Sequence, residues 1–165
     1  MEFAPSRRRL SVAPGRVTFL IAYMVLAADQ VVQAIAHQQL ALLEERSVTP
    51  WLALTWQSTN PAMPLVGATY LAWVGVSVAV LAGMAIMVRR QTQAFNVIQI
   101  LAFACLLGGT ASHLVDLLHW GHVVATLHIA VPAWGLDTHT GLAKLAQWTG
   151  LIGLGLNLLV RRRRR

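Results

Sequence analysis

The stretch SHLVDLLHWGHVVATLH, residues 112–128, holds one carboxylate and four imidazoles. Groups of this kind ligate divalent metals or move protons, so their spacing decides what they can do together. His113, Asp116, His119 and His122 recur every three residues. On a helix that spacing drifts by about 60° per step, which spreads the four over roughly half the circumference. They form no single tight metal face. A pair such as His113 and Asp116 still suits ligation, with His128 or His139 completing a shell from the chain that follows. One reading is therefore a metal site on His113, His119 and His122, or a haem or chlorophyll held by a buried histidine. The preferred reading assigns no metal and no cofactor, with these histidines as interfacial hydrogen-bonding groups.

The elements that must position these groups are apolar. Of the 165 residues, 56% are hydrophobic and 12% charged, against about a quarter charged in an ordinary soluble domain. A soluble domain of this size could not hide so much apolar surface. The composition implies an all-α polytopic membrane protein. Four segments match the roughly 20 apolar residues that cross a bilayer of about 30 Å: residues 17–36, 66–88, 97–118 and 141–160. Basic residues precede the first, as in a cleaved signal peptide. It lacks a small-x-small cleavage site in the right place and carries Asp29, Gln30 and Gln33, so it reads as a retained span. The single cysteine, Cys105, lies in an apolar run and reads as a small core residue.

Arginine placement orients the spans. Arg7, Arg8, Arg9 and Arg16 precede the first, Arg89 and Arg90 separate the second from the third, and Arg161 to Arg165 follow the fourth. With four spans these eleven charges share one side, and only Arg46 and Lys144 fall on the other. Both termini are therefore expected in the cytoplasm of a bacterial inner membrane. The organisation is a flexible basic stretch 1–16, a membrane domain 17–160 and a basic tail 161–165. The net charge of +7 reads as this topology signal and as contact with anionic lipid headgroups, not as nucleic-acid binding. Five tryptophans, Trp51, Trp56, Trp120, Trp134 and Trp148, fall near span boundaries or in outer loops and read as interfacial anchors.

A carboxylate inside a span costs roughly 2.5–3.5 kcal/mol on insertion and needs a partner, a wet cavity or a function. Asp29, Asn60, His113, Asp116 and Lys144 come from different parts of the chain yet fall at about the same depth, near the outer surface. They are expected to form one outward-facing binding cluster, with Lys144 paired to Asp29 or Asp116.

Three patches carry a resemblance to a known family. LAADQVVQ is similar to an Asp-Gln-x-x-Lys patch, with Asp29 and Gln30 kept and Gln33 at the Lys position. LTWQSTNPAM is similar to a strand leading to an Asn, here Asn60, and Gly-Ala-Ala-Phe, of which the Gly and Phe are not kept. GGTASHLVDLLHWGHVV is similar to Gly-Gly-Ala-x-Gly-Asn-Leu-x-Asp-Arg followed by Gly-x-Val-Val-Asp, with His113 at the Asn position and Leu117 at the Arg position. By these patches, over residues 17–160, the chain resembles signal peptidase II. The resemblance implies a four-span inner-membrane aspartyl protease that cuts prolipoproteins just before a lipid-modified cysteine. It also implies a small extracytoplasmic β-structure and a short amphipathic helix between helices one and two.

The same resemblance removes the chemistry. An aspartyl protease needs two neighbouring carboxylates, one ionised to accept a proton from water and one protonated to donate to the scissile carbonyl. The positions implied for them hold Ala125 and Lys144. Neither side chain can serve as the base. Asp116 matches a non-catalytic Asp of the family. Asp137 is a conceivable substitute for one member only.

Three functions therefore stand side by side. The first is an inactive homologue that binds lipid or lipopeptide, or serves as an accessory subunit to another integral membrane protein or a lipidated segment. Trp56 and Trp134 are its expected partner contacts, and small residues such as Gly67, Ala68, Gly75, Gly150, Gly153 and Gly155 its expected packing faces. The second is an active prolipoprotein peptidase with relocated carboxylates. The third is a histidine-ligated metal, haem or pigment-binding subunit.

Overall fold

The computed structural model describes residues 14–40, 44–58, 67–90 and 96–163. Four long helices form a bundle: α1 (Pro14–Gln39), α2 (Ala68–Arg90), α3 (Val97–Trp120) and α4 (Leu142–Arg163). By length and composition α1, α2 and α3 are able to cross a membrane. Helices α1 and α3 cover the expected segments 17–36 and 97–118, and α2 and α4 overlap 66–88 and 141–160. The bundle leaves large apolar side chains such as Leu20, Tyr23, Leu71, Trp73 and Leu158 outward-facing. A soluble protein buries such a surface, and a bilayer solvates it.

Helix α3 is the centre of the bundle and packs against α1, α2 and α4. Two adjacent glycines make that possible. A Cβ on Gly108 would lie 2.5 Å from the Ala22 carbonyl oxygen of α1, and one on Gly109 would lie 2.5 Å from the Ala143 carbonyl oxygen of α4. Consecutive positions face different neighbours, so the pair seats a helix on either side of α3. Lower down, Gly150 and Gly153 of α4 close on Ala102 in the same way. These two therefore serve the interior rather than a partner, whereas Gly75 and Gly155 face open space.

A four-stranded antiparallel sheet caps one end of the bundle, in the order β1 (Glu45–Thr49), β2 (Leu52–Ser58), β3 (Val124–Val131), β4 (Leu136–Thr140). The resemblance implies a β-structure between helices one and two. The sheet is instead built from both connections, with β2 pairing β3 across the join. A lone two-stranded hairpin is marginal in water, and the second hairpin completes it. A 3-10 turn over Pro132–Trp134 joins β3 to β4. Among the described residues no helix lies between α1 and α2.

The sheet is fastened to the bundle by a small apolar cluster of Ala36, Leu40, Trp56 and Val124, with Leu54 and Trp120 against it. Helix α3 ends at Gly121, whose φ of +73° closes a left-handed cap as its N–H donates to the Leu117 carbonyl at 3.0 Å. That turn sends the chain straight into β3.

Candidate functional site

The bundle buries two carboxylates where α1, α3 and α4 meet the sheet. Asp29 and Asp116 are each 1% exposed. Asp29 accepts three hydrogen bonds: from Ser112 Oγ at 2.6 Å, Gln33 Nε2 at 2.8 Å and the Ala143 N–H at 2.9 Å. Ala143 lies in the first turn of α4, where backbone N–H groups have no intrahelical partner and the helix dipole favours an anion. A side chain of α1 thus caps α4. Asp116 accepts from Gln33 Nε2 at 2.8 Å and Gln30 Nε2 at 3.2 Å, with a longer contact from the Val124 N–H at 3.4 Å. The His113 Nδ1 approaches Asp116 to 4.0 Å. Gln33 therefore reaches both carboxylates through one nitrogen, and its Oε1 is buried without a hydrogen-bond partner among the described residues.

Beside this cluster a cleft of about 340 Å³ opens between α1 and α3, lined by Gln30, Gln33, His37, Gln38, His119 and Trp120 among others. At its end the rings of His37, Trp56 and Trp120 meet, with centroids 4.8–5.2 Å apart.

The expected site residues part company. Asp29, His113 and Asp116 come together, with both carboxylates buried rather than facing outward. Lys144 does not join them: it is exposed on α4 and makes no ion pair among the described residues. The physical reason is the α4 N-terminus. It presents the Ala143 N–H inward to Asp29, and the next side chain along the helix points outward. Asn60 lies outside the described residues. Trp56, expected to contact a partner, is only 8% exposed and is committed to the apolar cluster. Trp134 is 83% exposed. Ala125 is fully buried in β3. His113, His119 and His122 do not gather. His119 instead stands edge-on to Trp120, with a centroid separation of 4.5 Å.

Gln33 and Ser112 are the polar partners that sequence reasoning passed over. The signal was available: Asp29 and Gln33 are four apart in an apolar helix, so both lie on one face.

A second polar group lies on the sheet. His128 of β3 and His139 of β4 are register partners, with rings stacked 4.2 Å apart. His128 Nδ1 is 3.0 Å from Glu45 of β1, and its Nε2 is 2.7 Å from Asp137 of β4. The Asp137 and then the Glu45 carboxylates hold the protonated ring and push its pKa above the ordinary histidine range. The Gln57 amide of β2 donates to His139 Nδ1 at 2.7 Å. Asp137 is thus engaged on the sheet and belongs to a different group from Asp29 and Asp116.

The family model for signal peptidase (SPase) II matches residues 21–149. A bacterial membrane enzyme structure obtained by the in meso method at 2.3 Å superposes with a TM-score of 0.78 at 20% identity, over 91% of this chain and 92% of that one. Another, at 1.9 Å, gives 0.76 at 21% identity, over 87% and 93%. Identities this low speak for the fold alone. No curated protein matches.

Proposed function

The chain belongs to the signal peptidase II family, and on that premise we propose that it is a member that has lost peptidase chemistry and retains a binding role. In this reading α4 is the fourth span, the protein sits in a bacterial inner membrane, and both termini are cytoplasmic. The groove holds a lipid-modified or extended peptide segment, or a span of another membrane protein, without cutting it.

One observation carries the reading. Asp29 and Asp116, the carboxylates that α1 and α3 bring together, are each 1% exposed; three of their four oxygens accept from Gln30, Gln33, Ser112 and Ala143, and the fourth, Asp116 Oδ2, has the longer Val124 N–H contact at 3.4 Å. A catalytic dyad needs oxygen lone pairs open to a water and to the scissile carbonyl. Asp29 and Asp116 serve instead to join α1, α3 and α4. The positions at which the family resemblance calls for acids hold Ala125, which is buried, and Lys144, which cannot act as the acid–base pair.

The test is incubation of the purified chain, in detergent or nanodiscs, with a diacylglyceryl-modified prolipoprotein. An active signal peptidase II serves as the positive control, and binding of the same substrate is measured alongside. Retention of substrate without cleavage is the expected result. Cleavage that disappears in Asp116→Asn or Asp137→Asn would establish a working peptidase with relocated carboxylates.

A further inference from the structure

The sheet brings together groups that the proposed binding role does not use. One donor atom each from Glu45, His128 and His139 lies within 4.8 Å of the other two. They come from three strands. His128 and His139 stand directly opposite each other on β3 and β4, and cross-strand partners point to the same face. Glu45 reaches that face from β1, past β2, with one oxygen 3.0 Å from His128 Nδ1 and the other 3.9 Å from His139 Nδ1.

We propose that Glu45, His128 and His139 form a binding site for a divalent cation of the zinc class, with one coordination position left for water. Two imidazoles and one carboxylate are the donor set that zinc takes when one position stays open. Donors about 2.0–2.1 Å from a tetrahedral ion lie about 3.3 Å from one another. One Glu45 oxygen already lies that close to His128 Nδ1, and the more distant pairs of the set, within 4.8 Å, need to close by up to about 1.5 Å. Rotation of two partly exposed side chains supplies such a change.

The surroundings fit a metal ligand set in a second respect. A histidine that binds metal through one ring nitrogen usually donates its other N–H to a carboxylate. His128 has this arrangement: Nδ1 faces Glu45 and the donor atoms, and Nε2 donates to Asp137 at 2.7 Å. His139 Nδ1 accepts from the Gln57 amide, so its lone pair is already available, and a cation would displace that donor. All three ligands are partly exposed, which gives an ion a path in.

Protons compete for this site. The charged and titratable groups facing His128 are Glu45 from β1 and Asp137 and His139 from β4, while β2 offers the neutral Gln57. The two carboxylates that favour the imidazolium also favour a cation in its place. Affinity for the metal therefore falls on acidification.

The test uses the full chain in detergent, stripped with EDTA and carrying no histidine tag. Zn2+ is titrated against a chromophoric chelator, and Co2+ is added separately as a spectroscopic probe. The expected result is one Zn2+ per chain at pH 7.5 and a tetrahedral Co2+ spectrum. His128→Gln and His139→Gln should each abolish both. Asp137→Asn should weaken binding about tenfold, as for an outer-shell partner. Far-UV circular dichroism reports whether each variant keeps its fold, and the wild-type titration is decisive without them. Absence of saturable one-to-one Zn2+ binding by the wild type overturns the proposal. So does binding that survives His128→Gln with His139→Gln but is lost when His113, His119 and His122 are replaced by Gln.

Discussion

Asp29 of α1 and Asp116 of α3 accept hydrogen bonds from the same nitrogen, the Nε2 of Gln33, at 2.8 Å each. The amide offers both its protons, one to each carboxylate, and so joins two acidic groups without a cation. The other end of that amide, Oε1, has no partner among the described residues. The family resemblance has a lysine at this position.

Replacement of Gln33 tests how the two acids are held. Gln33→Leu removes both donations and leaves two buried carboxylates short of partners, at a cost of about 2–4 kcal/mol. Gln33→Lys keeps a donor to each acid, adds a compensating charge and eliminates the orphaned oxygen. It should raise stability by about 1 kcal/mol or more. Denaturation in detergent micelles measures both. A Lys variant less stable than the parent would mean that the neutral amide, and not any donor at this position, is what joins the two acids.

The glycines of α3 separate close packing from mere flexibility. Gly108→Ala and Gly109→Ala drive a methyl group into the backbone of α1 and α4 respectively, at a cost of about 1–3 kcal/mol each. Gly75→Ala and Gly83→Ala meet nothing within 4 Å. They should be neutral or stabilise α2 by up to about 1 kcal/mol through helix propensity. Thermal melts of the four variants decide the matter, and equal effects in all four would contradict the packing described.

His128 makes the sheet pH-sensitive. Its folded pKa is raised by Asp137 first and then by Glu45, so folding favours the protonated ring. That contribution is fully present below the unfolded histidine value of about 6.5 and is lost as pH rises through the raised folded value. Metal-free wild type should therefore exceed His128→Gln in Tm most clearly near pH 5.5–6, with the difference shrinking towards pH 8. The effect is modest because Asp137 is largely exposed. A difference that grows with pH would reverse the assignment.

The two tryptophans expected at a partner surface should behave differently. Trp134→Glu alters an exposed tip and should weaken association with a membrane partner or lipopeptide while the melt stays within about 0.5 kcal/mol of wild type. Trp56→Glu buries a charge among His37, Trp120 and Val124 and should destabilise the sheet itself by several kcal/mol. Crosslinking yields and melts, measured together, distinguish these outcomes. Loss of association without loss of stability at Trp56 would return it to the surface.

Much of this protein was legible in the chain alone. Apolar runs of bilayer length announce the helices, because hydrophobic length is a local quantity. The polar positions Asp29, His113 and Asp116 stand out for the same reason, since an ionisable group in such a run is costly and needs company. The residue types at Ala125 and Lys144 also read directly, since neither side chain carries a carboxylate in any conformation.

What the tertiary structure decided was direction and partnership. Lys144 and Ala143 are neighbours in sequence, yet the Ala143 N–H turns to Asp29 while the Lys144 side chain faces out. Sequence periodicity does not fix which face of α4 meets α1, because its polar residues Lys144, Gln147, Thr149 and Asn157 are spread around the helix. Trp56 and Trp134 look alike as loop aromatics, but pairing of β2 with β3 buries one and the turn after β3 exposes the other. Glu45 and His128 are 83 residues apart. Only the joining of two hairpins into one sheet brings them within 3.0 Å, since strand register across a non-local pairing depends on the whole fold and not on either segment.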